Sequence, residues 1–286
     1  MTLHEAQQRL LFQLYHIYDN SEAQQIADMV MEHIMGWNRI DRVMNKKLKM
    51  LPGSLEKLDR MTDQLLMHKP VQYVLNESWF AGMRLYVDEN VLIPRPETEE
   101  LADWIVKDFT SRHINNPIVL DIGTGSGCLA LAIKKGLPLA EVHACDISEA
   151  ALAVAKRNAE SNELDIIFHQ ADILSGSDWE KLPQVDCIVS NPPYIPLRDK
   201  DAMQKNVLDF EPHLALFVNN EDPLLFYKAI LSFSRLHLPK DGIVYFEIHE
   251  QLAADLRQLA VELLPGEQQL RKDLQGKDRM FRIVKA

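Results

Sequence analysis

The run Ser190-Asn191-Pro192-Pro193-Tyr194 has the residue types needed to grip a planar –NH2 group. It follows the apolar stretch Val185-Asp186-Cys187-Ile188-Val189, which reads as a strand. Proline has no N–H for a sheet ladder and pushes the residue before it toward extended geometry. The strand therefore stops abruptly and presents Asn191 at its carboxyl end. The Asn191 side-chain oxygen and the Pro192 carbonyl can accept two N–H bonds, while Tyr194 packs on the face of the bound group. Taken alone, the run also describes a plain strand-ending turn.

A second stretch, Asp121-Ile122-Gly123-Thr124-Gly125-Ser126-Gly127, follows another strand and opens a helix. Glycines there allow a tight turn and close approach of a ligand to the backbone. No Lys-Ser/Thr follows the glycines, which argues against a phosphate-cradling loop. Asp121 precedes them, where a carboxylate repels pyrophosphate but can bind an ammonium group. That combination favours a cofactor with an amino-acid end, S-adenosylmethionine. Asp146 ends the next strand, where a carboxylate accepts ribose hydroxyls; Ser148 is left to cap the following helix. Asp172 ends the third strand and can accept the adenine amino group, with Ile173 packing on the ring. A methyl donor would then lie beside an –NH2 acceptor held at Asn191.

These residues need elements to position them. From Pro117 onward strand and helix patterns alternate, which predicts a mostly parallel sheet. Strands are expected at 118–122, 141–145, 165–169, 185–190, 242–248 and 279–284, with a weaker one near 267–271. Helices are expected at 127–136, 149–161, 222–237 and 250–263, and 195–220 reads as a long loop. The first 70 or so residues carry helical stripes. Helices are expected over 3–18, from Ser21 (with Gln24 at capping-box spacing) to Gly36, over 38–48, and from Ser54 to Pro70. Val71–Leu75, Trp79–Ala81 and Arg84–Val87 read as short β runs, and Pro96 opens a further helix.

Composition is that of an ordinary globular chain: 286 residues, 47% hydrophobic and 26% charged. No run approaches the roughly 18 apolar residues of a membrane span, and the start carries no targeting pattern. Cys128, Cys145 and Cys187 lie in apolar segments without metal-ligand spacing, so a reduced, cytoplasmic protein with no metal site is expected. The net charge of −11 is uneven, with 10 basic against 12 acidic residues before position 91 and 21 against 30 after it. An acidic main domain is a poor match for a nucleic-acid backbone, which is disfavoured as a partner. Arg39, Arg42, Lys46, Lys47 and Lys49 form one basic cluster, read as a solvated face or a docking patch.

Taken together, these motifs resemble the class I S-adenosylmethionine-dependent methyltransferases with an Asn-Pro-Pro-Tyr motif. The similarity is greater to the protein-(glutamine-N5) methyltransferases that modify peptide-chain release factors, the PrmC/HemK family. It spans essentially the whole chain, including Glu211-Pro212-His213-Leu214-Ala215-Leu216 and Gly276-Lys277-Asp278-Arg279; the run Ile93-Pro94-Arg95-Pro96-Glu97-Thr98-Glu99 is its most specific part. The resemblance implies an α/β fold: a Rossmann-like, seven-stranded class I methyltransferase domain at 96–286, an N-terminal helical bundle at 1–70 and a β-hairpin connector at 71–95. It implies cofactor contacts from Gly123, Thr124, Gly125, Ser126, Gly127, Asp146 and Asn191, and a glutamine held by Asn191, Pro192, Pro193 and Tyr194. The substrate would be the Gln of Gly-Gly-Gln in class I release factors, the bundle would help to recognise the rest of that protein, and S-adenosylhomocysteine would be the other product. An exocyclic amine of adenine or guanine, or a ribosomal-protein glutamine, is the alternative acceptor. The chain departs from the family at Ile173, where an aromatic is common and Trp179 offers a rival alignment. It departs again at His249, where the family has Gly, and over 218–223.

Overall fold

The computed structural model describes residues 1–203 and 205–286, in two compact units. One unit holds Met1–Glu77 and the short helix α9, Lys205–Phe210. The other holds Ser78–Met203 and Glu211–Ala286.

The first unit is helical. Its elements are α1 (Leu3–Leu14), α2 (Asn20–Met35), α3 (Arg39–Met44), α4 (Pro52–Leu66) and α5 (Val71–Leu75). The stripes of α1, α2 and α4 meet in one core that includes Leu10, Leu14, Val30, Leu58 and Leu65. Each such side chain, once fully buried, contributes about 1.5–3 kcal/mol. Three local expectations are corrected. The α2 cap is Asp19, whose carboxylate accepts from the Ser21 and Glu22 N–H groups at 2.8 and 2.9 Å, so the helix begins before Ser21. A capping box exists, but at Thr2 and Glu5 on α1. Helix α4 starts at Pro52 rather than at a Ser54 cap, because proline fits the first helical turn. Val71–Leu75 is a helical turn, not a strand: the Tyr73 and Val74 N–H groups both donate to the Pro70 carbonyl at 3.0 Å, and Val71, Tyr73, Val74 and Leu75 are all buried.

Arg42 leaves the expected basic cluster. It is buried, with its guanidinium donating to Asp28 Oδ1 at 2.9 Å, Glu32 Oε2 at 3.2 Å and the Trp37 carbonyl at 3.0 Å. It is an internal staple between α2 and α3.

The second unit opens with a hairpin, β1 (Ser78–Phe80) and β2 (Met83–Leu85), turned at Ala81-Gly82. Helix α6 (Pro96–Ser111) follows. Next come β3 (Ile118–Ile122), α7 (Cys128–Gly136), β4 (Glu141–Asp146), α8 (Glu149–Ser161), β5 (Ile167–Gln170) and β6 (Cys187–Ser190). The stretch expected to be one long loop instead contains β7 (Ile195–Pro196), α10 (His213–Leu216) and β8 (Phe217–Val218), with β7 and β8 paired. The chain closes with α11 (Leu225–His237), β9 (Ile243–Glu247), α12 (Ala253–Leu263), β10 (Gly266–Lys272) and β11 (Asp278–Lys285).

The seven-stranded sheet has the order β10-β11-β9-β6-β3-β4-β5. Pairings from β9 through β6, β3 and β4 to β5 are parallel, and β11 is antiparallel to both of its neighbours. This is the α/β, class I methyltransferase architecture that the motifs implied. Both sheet faces are covered, which is why the central strands read as continuous apolar runs. Val119, Ile243 and Tyr245 face one core with α6 and α7, while Leu120, Val244 and Phe246 face the other with α11 and α12. Strand order reverses at β3, which lies between β4 and β6. A crevice at the carboxyl ends of those strands is the expected place for a ligand.

Candidate active site

The glycine turn leaves β3 and enters α7. Its backbone is pinned from below: the Gly123 and Thr124 N–H groups donate to the Cys145 carbonyl at 2.9 and 3.0 Å. Gly125 N–H donates to Asp146 Oδ2 at 2.9 Å. Asn158, fully buried on α8, donates to the Ser126 carbonyl at 2.9 Å and so holds the far end of the turn. A Cβ on Gly123 or Gly125 would meet no heavy atom within 4 Å, so this face of the turn is open. Gly127 at the N-cap of α7 offers no side-chain cap, and in the first turn the Ala130 N–H is taken by Asp121.

Asp121 lies beneath the turn rather than on the cleft wall. It is 1% exposed; Oδ2 accepts from Thr124 Oγ1 at 2.7 Å and from the Ala130 N–H at 3.3 Å, while Oδ1 has no partner. Burial raises its pKa to about 7. Asp146 shares its carboxylate between the Gly125 N–H and the Ser148 N–H, the latter at 2.9 Å, and burial raises its pKa as well. Ser148 caps α8, as expected.

A cleft runs along the carboxyl edge of the sheet, walled by Gly123, Thr124, Gly125, Ser126, Asp146, Asp172, Ile173, Asn191, Pro192 and Pro193. Sequence reasoning had singled out all ten of these. Gly127 and Tyr194 are not among its walls. Gly127 sits instead where α7 approaches α8, with φ of 82°. Tyr194 packs on the core beneath the cleft, its ring 5.9 Å from that of His249, and burial raises its pKa.

Of the two rival residues, Ile173 lines the cleft, whereas Trp179 donates to the Ile173 carbonyl at 2.9 Å and packs edge-on against Phe233. Trp179 thus buttresses the segment that Ile173 presents. His249 is no part of the cleft floor; it precedes a short 3-10 turn and its Nδ1 accepts from the Gln251 N–H.

Several wall residues were given no site role from sequence; all but Cys128 lie in the motif runs. Arg95 and Thr98 enter from the start of α6, Leu214 and Ala215 from α10, and Cys128 from the first turn of α7. Glu211 is buried and binds Arg95 Nη2 at 2.5 Å, fastening the Ile-Pro-Arg-Pro run to the segment before α10. Thr98 Oγ1 accepts from Asn191 Nδ2 at 3.2 Å and donates to Glu247 Oε2 at 2.6 Å. Burial pushes the Glu247 pKa to about 7 and the Cys128 thiol to about 12.

The donor set fits a cofactor with an ammonium group and a ribose. An orphaned buried carboxylate oxygen, an open glycine backbone and a second carboxylate at the next strand end are all present. Among the described residues no group of His, Cys, Asp and Glu could hold a metal ion, and no helix is long and apolar enough to cross a membrane.

Comparison with known proteins gives two family matches: the PrmC N-terminal domain over residues 4–75 and the methyltransferase small domain over residues 101–210. The release factor glutamine methyltransferase of Flavobacterium psychrophilum is 42% identical over 93% of this chain and 93% of its own. That of Bacteroides thetaiotaomicron is 38% identical over 94% of this chain and 95% of its own. Among solved structures, the hMettl16 catalytic domain has a TM-score of 0.54 at 16% identity, covering 83% of this chain and 84% of that one; this likeness concerns the fold.

Proposed function

Because the chain belongs to the release factor glutamine methyltransferase family, we propose that it methylates the side-chain amide nitrogen of the Gly-Gly-Gln glutamine in class I release factors. The observation that carries this reading is the adjacency of two strand ends. Ile122 pairs with Ser190, so the glycine turn and Asn191 leave neighbouring strands side by side. Ser190 Oγ donates to the Ile122 carbonyl at 2.7 Å and locks those ends together.

When bound, S-adenosylmethionine supplies a methyl group activated by its positively charged sulfur. Residues for holding it are Asp121, Gly123, Thr124, Gly125, Ser126 and Asp146, with Asp172, Ile173 and Asn191, while Gly127 closes the turn against α8. The chain's own task is to present a weak nucleophile. An amide nitrogen shares its lone pair with its carbonyl, so it attacks only when oriented well. Asn191 Oδ1 and the Pro192 carbonyl accept the two N–H bonds of the glutamine and fix its plane, with Pro193 and Tyr194 supporting the turn. Rate then comes from orientation and from acceptors placed where positive charge grows. No tuned base is needed, because the methylated nitrogen sheds its proton readily. The helical unit contributes recognition of the rest of the factor, and the exposed Ile40, Val43 and Met44 of α3 suit that role.

The test is transfer of labelled methyl to a purified release factor, beside a Gly-Gly-Ala variant and a nucleic-acid control. Label on the wild-type factor alone is expected. Label on nucleic acid, falling steeply with salt, would overturn the substrate class.

A further inference from the structure

The side chain that grips the substrate has a symmetry problem. A carboxamide looks nearly the same after a 180° flip, but one orientation offers an acceptor and the other a donor. A glutamine –NH2 presents two donors, so an Asn191 turned the wrong way would oppose donor to donor. Something must set the direction of the amide.

We propose that Thr98 and Glu247 are positioning residues that fix the Asn191 amide with Oδ1 toward the substrate, and that they do so only while Glu247 is ionised. This rests on the reading of Asn191 given above. Asn191 Nδ2 donates to Thr98 Oγ1 at 3.2 Å, and Thr98 Oγ1 donates to Glu247 Oε2 at 2.6 Å. Thr98 and Glu247 are 3% and 2% exposed, so water does not substitute for either contact. Asn191 Oδ1 makes no intramolecular hydrogen bond among the described residues, and Asn191 lines the cleft.

The direction follows from counting donors. An ionised carboxylate only accepts, so the Thr98 hydroxyl proton must point at Glu247. The Thr98 oxygen then has only lone pairs left for Asn191, which must answer with its N–H. A protonated Glu247 can itself donate to Thr98, freeing the Thr98 proton to point at Asn191 and removing the preference. The three groups come from separate elements: the first turn of α6, the end of β6 and the end of β9. Ser190 pairs with Phe246, so Asn191 and Glu247 leave adjacent strands in register. Tyr227 on α11 donates to the Glu247 carbonyl at 3.0 Å and steadies that end.

Charged and titratable groups around Glu247 come from every packed element. Arg95 and Glu97 flank it at the start of α6, Arg279 on β11, Tyr227 on α11, Tyr194 after β6 and Cys128 on α7. Burial outweighs the Thr98 hydrogen bond and the two arginines and raises its pKa to about 7. The sign is therefore that activity through this relay is present above that pH and lost below it.

The experiment compares wild type, Thr98→Val, Thr98→Ser and Glu247→Gln in methyl transfer at saturating cofactor, across pH, with cofactor affinity measured by calorimetry. Thr98→Val should lower kcat by roughly 10²-fold, the scale of a misaligned reacting group, with cofactor affinity unchanged and Thr98→Ser restoring most of the rate. Wild type should lose kcat as pH falls through about 7, and Glu247→Gln should abolish that acid limb. Asp121 titrates in the same range but lies beneath the glycine turn and outside the relay, so its effect appears in calorimetric affinity and survives in Glu247→Gln. A Thr98→Val enzyme with wild-type kcat, or a Glu247→Gln enzyme with an unchanged acid limb, would overturn the relay. If wild type itself transfers no methyl to the factor, the proposed function fails instead, so the two failures are separable.

Discussion

The proposed grip on the substrate requires an amide at Asn191, not merely a polar residue of similar size. In that proposal its oxygen accepts from the substrate, while its nitrogen donates to Thr98 Oγ1. Asn191→Ala removes both, and a single-turnover assay should show a loss on the order of 10²- to 10³-fold, as for loss of a placed hydrogen-bonding group in other active sites. Asn191→Asp keeps the volume but sets acceptor against acceptor at Thr98, so it should not recover the rate. Near-normal turnover in either variant would contradict the assigned role. Tyr194 was read as packing on the substrate face, but the structure sets it on the core beside His249.

At the scale of elements, the glycine turn depends on how α7 meets α8. A Cβ at Gly127 would lie 3.2 Å from the Ala155 Cβ, and the φ of 82° is one that side chains other than glycine adopt at a cost. Gly127→Ala should destabilise the protein by about 1–2 kcal/mol. Denaturant unfolding would read this as a lower midpoint at unchanged slope, and an unaltered midpoint would refute the packing argument. The turn was legible in the sequence because glycines cannot be explained away when they follow an apolar strand. The same holds for Asn191, where two prolines force the strand to stop. Thr98 and Glu247 were not legible as partners, since nothing local links a first-turn threonine to a glutamate 149 residues away. Arg42 shows the opposite error: a run of basic residues reads as surface, yet tertiary ion pairs bury one of them. Val71–Leu75 was misread for a similar reason, because a short apolar segment fits strand and helix alike until its burial is known.

At the scale of the whole molecule, order reversal in the sheet explains why the two motifs share one cleft despite their separation in the chain. Strands β3 and β6 are neighbours only because β4 and β5 are laid down on the other side of β3. The formal charge of −11 makes the chain a poor electrostatic match for a nucleic-acid backbone, a penalty that a protein loop does not carry. The most direct measurement is tandem mass spectrometry of a class I release factor after reaction with S-adenosylmethionine, locating the added methyl within its peptides. One methyl is expected on the side-chain nitrogen of the Gly-Gly-Gln glutamine, absent when Asn191 is replaced by alanine. A methyl on any other residue, or none on the factor while nucleic acid is labelled, would contradict the proposed function.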